Sequence, residues 1–196
     1  MTISKIRFWP IWVAIWVFGY LADLVTKFAA VSYLDPNDPP VLLGGLVRLQ
    51  LMRNPGAAFS MGTQFTILLS VFAVVVFFAI LLYFVPRITT KFQAVVAGMF
   101  LAGITGNLTD RIFRSPGPMR GHVVDMIQVP YFAIFNVADM FITVAAVLLF
   151  IVSLRSDSSN DAKSDGAESL VSGDSQVANH KSQVGGDDAQ HTDGTK

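Results

Sequence analysis

The stretch VVDMIQVPYFAIFNVADMFI, residues 123–142, holds two carboxylates, Asp125 and Asp139, and no other formally charged side chain. Two carboxyl groups held close in a partly desolvated site do not easily both ionise, so one keeps its proton near neutral pH. The ionised member can then take a proton from water, and the protonated member can donate one to a carbonyl oxygen. That is what hydrolysis of an amide without a covalent intermediate requires. The chain has no cysteine, which excludes thiol catalysis, Cys-ligated metal and disulfides. Ser60 and Ser70 lack a suitably placed histidine, because His122 is the sole histidine outside the polar tail. A Ser–Lys dyad stays open by spacing, although Lys27 and Lys91 are expected on opposite faces of a membrane. A hydrolytic metal site wants several His or carboxylate ligands, and only His122 joins the Asp set. No metal and no cofactor are therefore expected. Spacing alone leaves a second use open, with Asp139 as a proton-relay acid in a transporter.

Other polar residues stand in apolar surroundings and by default mark function there. Asp23 and Lys27 are spaced i, i+4, acid first, which is the favourable order for a helical ion pair. They read equally as a structural pair and as part of a site. In GNLTDR, Asn107 and Arg111 share a helix face, and Asp110 is rotated about 100° from Arg111, so these adjacent charges need not pair. In FNVAD, Asn136 and Asp139 are i, i+3, with small Ala138 beside them able to admit a helix or peptide closely. NPGAAFS gives Asn54 a turn position and, with Gly56, Ala57 and Ala58, a backbone that can approach a ligand.

These residues need elements to carry them. Of the 196 residues, 53% are hydrophobic and only 14% charged, which points to an integral membrane protein. Four apolar runs, about 9–31, 65–85, 92–112 and 134–154, each approach bilayer length. The run 65–85 carries no charge, and as a helix it spans about 32 Å, enough to cross the hydrocarbon core. The runs are continuous and lack period-2 alternation, so helices are expected rather than barrel strands. The first run is read as a retained span and not a cleaved signal, because it continues from Trp9 to Val31. Four spans put both termini on one side. A plain Lys/Arg count does not separate the faces, but the basic density in PRITTK and in the first seven residues favours termini inside. VRLQLMR alternates as a short strand does, and HVVDMIQV is a second candidate, so a small sheet at the membrane surface is expected. From 156 to 196 the chain has no aromatic residue, three Lys and eight Asp/Glu, and reads as a disordered acidic Ser/Asp/Gly-rich tail. A transporter subunit, or a membrane adaptor whose tail recruits partners, are the competing classes. The second acid at the membrane edge favours an enzyme, since a relay wants acids spaced through the membrane depth.

Five motifs, DLVTK at 23–27, NPGAAFS at 54–60, GNLTDR at 106–111, VVDMI at 123–127 and FNVAD at 135–139, occur in an order that resembles the lipoprotein signal peptidase family, or signal peptidase II. The resemblance covers about residues 8–155 and not the tail. It implies an all-α membrane protein with four transmembrane helices and a small extracytoplasmic β-sheet. It implies an aspartyl endopeptidase of the bacterial cytoplasmic membrane, with cytoplasmic termini and an active site near the outer leaflet. The implied reaction is cleavage of prolipoproteins just before a diacylglyceryl-modified cysteine. The family's catalytic pair falls on Asp125 and Asp139, and its supporting polar residues on Asp23, Asn54, Asn107, Arg111 and Asn136. Lys27, Gly56, Asp110 and Ala138 join the expected site from the same motifs. Partners implied are the prolipoproteins and membrane lipid, with no nucleic acid, and the chain is expected to act as a monomer. Two departures are mild: Met126 stands where Phe is commoner, and Thr105 where Leu is frequent.

Overall fold

The computed structural model describes residues 8–56 and 64–154. Ala57, Ala58 and Ser60, and the expected acidic tail from 156, lie outside the described residues. All packing below belongs to the unit Met1–Leu149; of the unit Phe150–Lys196, the described part is the helical stretch 150–154.

The first apolar run forms helix α1, Trp9–Tyr33, with Pro10 in its first turn, where a missing N–H leaves no helical bond unmade. Its buried residues, Gly19, Asp23, Lys27 and Ala30, recur three or four apart and so share one face. Phe18, Leu21, Val25 and Phe28 point outward and are exposed. Small and charged groups inside with large apolar groups outside reverse the pattern of a water-soluble helix and suit a lipid surround.

Helix α2, Gln64–Ala79, runs on through a π turn, Ile80–Phe84, and a 3₁₀ turn, Val85–Arg87. The sequence suggested one plain span here. Pro86 has no N–H to give, so the ladder ahead of it has a gap; the helix widens and then closes. Helix α3, Lys91–Phe113, opens with a capping box in which Thr90 accepts from the N–H of Gln93 and the Gln93 side chain answers. It packs most extensively on α1, and small residues allow this. A Cβ added to Gly98 would lie 2.7 Å from the Trp12 carbonyl oxygen. Farther along, Trp16 Nε1 donates to Thr105 Oγ1 at 3.0 Å, and Tyr20 and Thr109 hydroxyls meet at 3.1 Å. Thr105, one of the two departures noted above, thus has a partner on α1.

Helix α4 spans Val137–Leu154. It begins three residues later than the apolar run suggested, which corrects the expected start at 134. The reason is local. Asn136 Oδ1 accepts from the Asp139 N–H at 3.0 Å, and Asp139 Oδ2 accepts from the Asn136 N–H at 3.2 Å. This reciprocal cap fixes the first helical residue at Val137 and puts Asp139 within the first turn.

Both suggested strands are present. Strands β1, Val41–Leu42, β2, Val47–Asn54, and β3, Val123–Gln128, form an antiparallel sheet in the order β1-β2-β3. The β2–β3 register shifts between Leu49 and Met52, a bulge next to the pair Met52–Asp125. The chain after β3 folds back: Phe135 and Ile127 exchange backbone hydrogen bonds of 2.8 and 3.0 Å. That reversal brings Asn136 alongside β3. The sheet lies at the end of the bundle where α1 and α3 finish and α2 and α4 begin.

The α1–α3 contact generates a direct expectation. Gly98→Ala gains about 1 kcal/mol of helix propensity but drives a methyl into the Trp12 carbonyl and Ile15, an overpacking cost of about 1–3 kcal/mol. The thermal unfolding midpoint in detergent should therefore fall; a rise would show that α1 yields at this contact.

Candidate active site

Asp125 sits on β3 beside the bulge in β2 and is 1% exposed. Its Oδ1 accepts from Asn136 Nδ2 at 2.6 Å and its Oδ2 from Asn54 Nδ2 at 2.9 Å. Burial pushes its pKa up to about 6; the Asn54 amide opposes this, the Asp139 charge adds to it, and the Asn136 amide and Lys27 oppose it further. Asn54 ends β2, and its Oδ1 accepts from the Gly56 N–H at 2.8 Å. This turn, with Gly56 at φ +102°, fixes which end of the Asn54 amide faces Asp125. Gly56 therefore belongs to the site through its backbone.

Asp139 is reached from the α3 side. Its Oδ1 accepts from Asn107 Nδ2 at 2.7 Å, and its Oδ2 accepts the Asn136 N–H. The two catalytic candidates are joined through a pair of carboxamides. Asn136 Nδ2 donates both to Asp125 and, at 3.1 Å, to Asn107 Oδ1. Asn107 then passes its own Nδ2 to Asp139. Asp125–Asn136–Asn107–Asp139 is a continuous hydrogen-bonded chain across β3, α3 and α4.

Behind it lies a charged layer. Lys27, wholly buried, contacts Asn107 Oδ1 at 3.1 Å, Asp23 Oδ2 at 2.8 Å and Asp110 Oδ2 at 3.0 Å. The Asp23 contact is ionic without the alignment of a hydrogen bond. Asp23 Oδ1 accepts from the Ala138 N–H at 2.9 Å, and Asp110 Oδ2 from the Val124 N–H at 3.1 Å. Asp110 is also paired with Arg114 Nε. The expected i, i+4 pair Asp23–Lys27 is present. Asp110 pairs with Lys27 and Arg114, and Arg111 lies within electrostatic reach of Asp125, Asp139 and, least strongly, Asp110. Its Nη1 is buried with no hydrogen-bond partner among the described residues.

Ala138 is small for the reason the sequence suggested, close approach by another helix. What approaches it is α3 at Gly106, where an added Cβ would sit 3.1 Å from the Ala138 Cβ and would also collide with Asp23. Ser70 is no nucleophile in this arrangement: its hydroxyl bonds the carbonyl oxygens of Thr66 and Met119 at 2.7 and 2.8 Å. Sequence reading missed Arg114, although its i+4 spacing from Asp110 was a usable signal. It also missed the backbone donors of Val124 and Ala138, for which residue type carries no signal.

Comparison with known proteins agrees with this architecture. A family model described as Signal peptidase (SPase) II matches residues 15–155. The lipoprotein signal peptidase of Mycobacterium avium (strain 104) is 45% identical over 132 residues, 67% of this chain and 72% of that protein. The lipoprotein signal peptidase of Mycolicibacterium smegmatis is 46% identical over 132 residues, 67% of this chain and 56% of its own length. A bacterial membrane enzyme solved by the in meso method at 1.9 Å resolution has a TM-score of 0.62 at 26% identity, over 73% of this chain and 92% of that one. With its family match over residues 15–155, four apolar helices of membrane-spanning length and a three-stranded sheet, the chain belongs to the signal peptidase II family.

Proposed function

We propose that this chain removes the signal peptide from diacylglyceryl-modified prolipoproteins, cutting before the lipidated cysteine with water activated by Asp125 and Asp139. The relatives bear the name lipoprotein signal peptidase, which supports the substrate class. The observation that carries the chemistry is the Asn136–Asn107 pair, which ties both carboxylates into one network. Asp139 holds the negative charge, supported by two N–H donors and the N-terminus of α4. Asp125, buried and with its pKa pushed up to about 6, is the member that holds the proton in the active form, which is populated below that pH.

Water then attacks the scissile carbonyl carbon as Asp139 takes its proton, while Asp125 gives its proton to the carbonyl oxygen. The tetrahedral diol collapses: the C–N bond breaks, Asp139 returns its proton to the leaving amine, and Asp125 recovers the hydroxyl proton. No bond to the enzyme forms. Arg111 offsets the single negative charge of the pair, and its Nη1, without a hydrogen-bond partner among the described residues, is suited to a substrate carbonyl. The termini are assigned to the cytoplasm and the site to the outer leaflet, where acyl chains can stay in lipid while the peptide bond reaches water. The chain acts as a monomer, without cofactor or metal, and residues 156–196 take no part in chemistry.

Purified protein in detergent, given a diacylglyceryl-modified prolipoprotein, should cleave it. Asp125→Asn and Asp139→Asn should each lower kcat on the order of 10²–10⁴-fold; full activity in either removes the proposal. The pH profile has a definite sign. An acid that must keep its proton is competent below its pKa and is lost above it, so kcat/KM should fall as pH rises through an apparent pKa of about 6 or above. Asn54→Ala removes a donor that favours the ionised form of Asp125, so this falling limb should move to higher pH. A profile that rises over the same range would reverse the assignment of the proton. Deleting residues 160–196 should leave the cleavage rate unchanged, and a large loss would give the tail a role.

A further inference from the structure

The charged layer behind the carboxylates is built in a particular way. Asp23 and Asp110 each use one oxygen on Lys27. Each also accepts one backbone N–H, and those two N–H groups are not random. Asp23 holds the N–H of Ala138, directly before Asp139, and Asp110 holds the N–H of Val124, directly before Asp125. The third contact of the Lys27 ammonium is Asn107 Oδ1, which leaves Asn107 Nδ2 facing Asp139. We infer that Lys27 is a positioning residue: it clamps Asp23 to Asp110, and through them fixes the spacing of the two backbones that carry Asp125 and Asp139, while it sets the orientation of the Asn107 amide. This rests on the reading of Asp125 and Asp139 as the catalytic pair.

Three features favour a positioning role over plain stability. Buried ion triads are weak stabilisers, since well-packed apolar side chains of similar volume often serve as well. Apolar side chains could not, however, present acceptors to the N–H groups of both Val124 and Ala138. The cluster is also balanced, because Asp23 and Asp110 face Lys27 and Arg114. Its net charge does not disturb the single negative charge proposed for the pair. Finally, Asn107 is an amide whose two ends look alike in size, so only its partners decide which end meets Asp139. Lys27 and Asn136 both donate to Oδ1, and that leaves one answer.

The test uses full-length protein in detergent with the lipidated prolipoprotein. Two variants are compared with wild type: Lys27→Met, and the double variant Asp23→Asn with Lys27→Met, which does not leave Asp23 as an unpaired buried acid. Misplacement of a reacting group by about 1 Å costs on the order of 10²-fold, so kcat should fall by about that factor while KM stays unchanged. The pH profile supplies a readout that a purely structural role would not move. Asp125 is faced by Lys27 from α1, Asn54 from β2, Arg111 from α3, Asn136 from the cap before α4 and Asp139 from α4. Lys27 itself faces Asp23, Asn107 and Asp110. Loss of the Lys27 charge should move the alkaline limb of Lys27→Met upward. A wild-type kcat in either folded variant overturns the inference, as does a change confined to KM. Failure of both variants to fold, judged by helical circular dichroism and elution, makes Lys27 a folding residue and overturns it too. Asp125→Asn in the same assay separates the two readings. If it is fully active, the catalytic pair itself is wrong; if it is inactive while the Lys27 variants match wild type, only the clamp is wrong.

Discussion

A charge removed from water must find its partners inside the protein, and among apolar helices that demand governs most of what this chain does. Isolated burial of an ion costs several kcal/mol even after relaxation, on the order of 20 kcal/mol in the idealised limit. Asp23, Lys27, Asp110 and Asp125 are nevertheless almost wholly buried. They are tolerated because they are gathered at one end of the bundle and joined by short contacts from α1, α3 and β3. The helices must come very close for those contacts to form. Gly106 on α3 is what lets Asp23 and Ala138 reach the same spot.

The same clustering supports the proposed catalytic reading over a proton relay. A relay needs acids at successive depths, whereas here Asp23, Asp110, Asp125 and Asp139 meet around the end of α3 and the start of α4, with Asp23 contributed from the middle of α1. The rest of each span is apolar toward the outside, as Phe18 and Val25 on α1 and Phe72 and Val75 on α2 show. The sheet contributes a second kind of control. Its bulge and the fold-back at Phe135 bring a strand acid and a helix acid, 14 residues apart in sequence, to the same pair of amides.

Local periodicity was legible in the chain. The four spans, both longer strands and the Asp23–Lys27 pair all follow from spacing within one element. The start of α4 did not follow from hydropathy, because residues 134–136 are apolar enough to join the run. The Asn136–Asp139 cap decided it, and Asn followed three positions on by an acid is a signal that could have been read. Contacts across elements were out of reach. Nothing near Lys27 in sequence announces Asp110, and a backbone N–H such as that of Ala138 has no residue type to advertise it. The five motifs named the candidate site residues without revealing which touches which.

Asp125 and Asp139 are proposed to act as one unit, the first protonated and the second ionised, linked through Asn136 and Asn107. The most direct measurement is a double-mutant comparison of kcat for Asp125→Asn, Asp139→Asn and the two together, on a lipidated prolipoprotein. Groups that work as a unit are strongly non-additive. The double variant should be no slower than either single variant. Losses that multiply in the double variant would mean two independent contributions, and would contradict it.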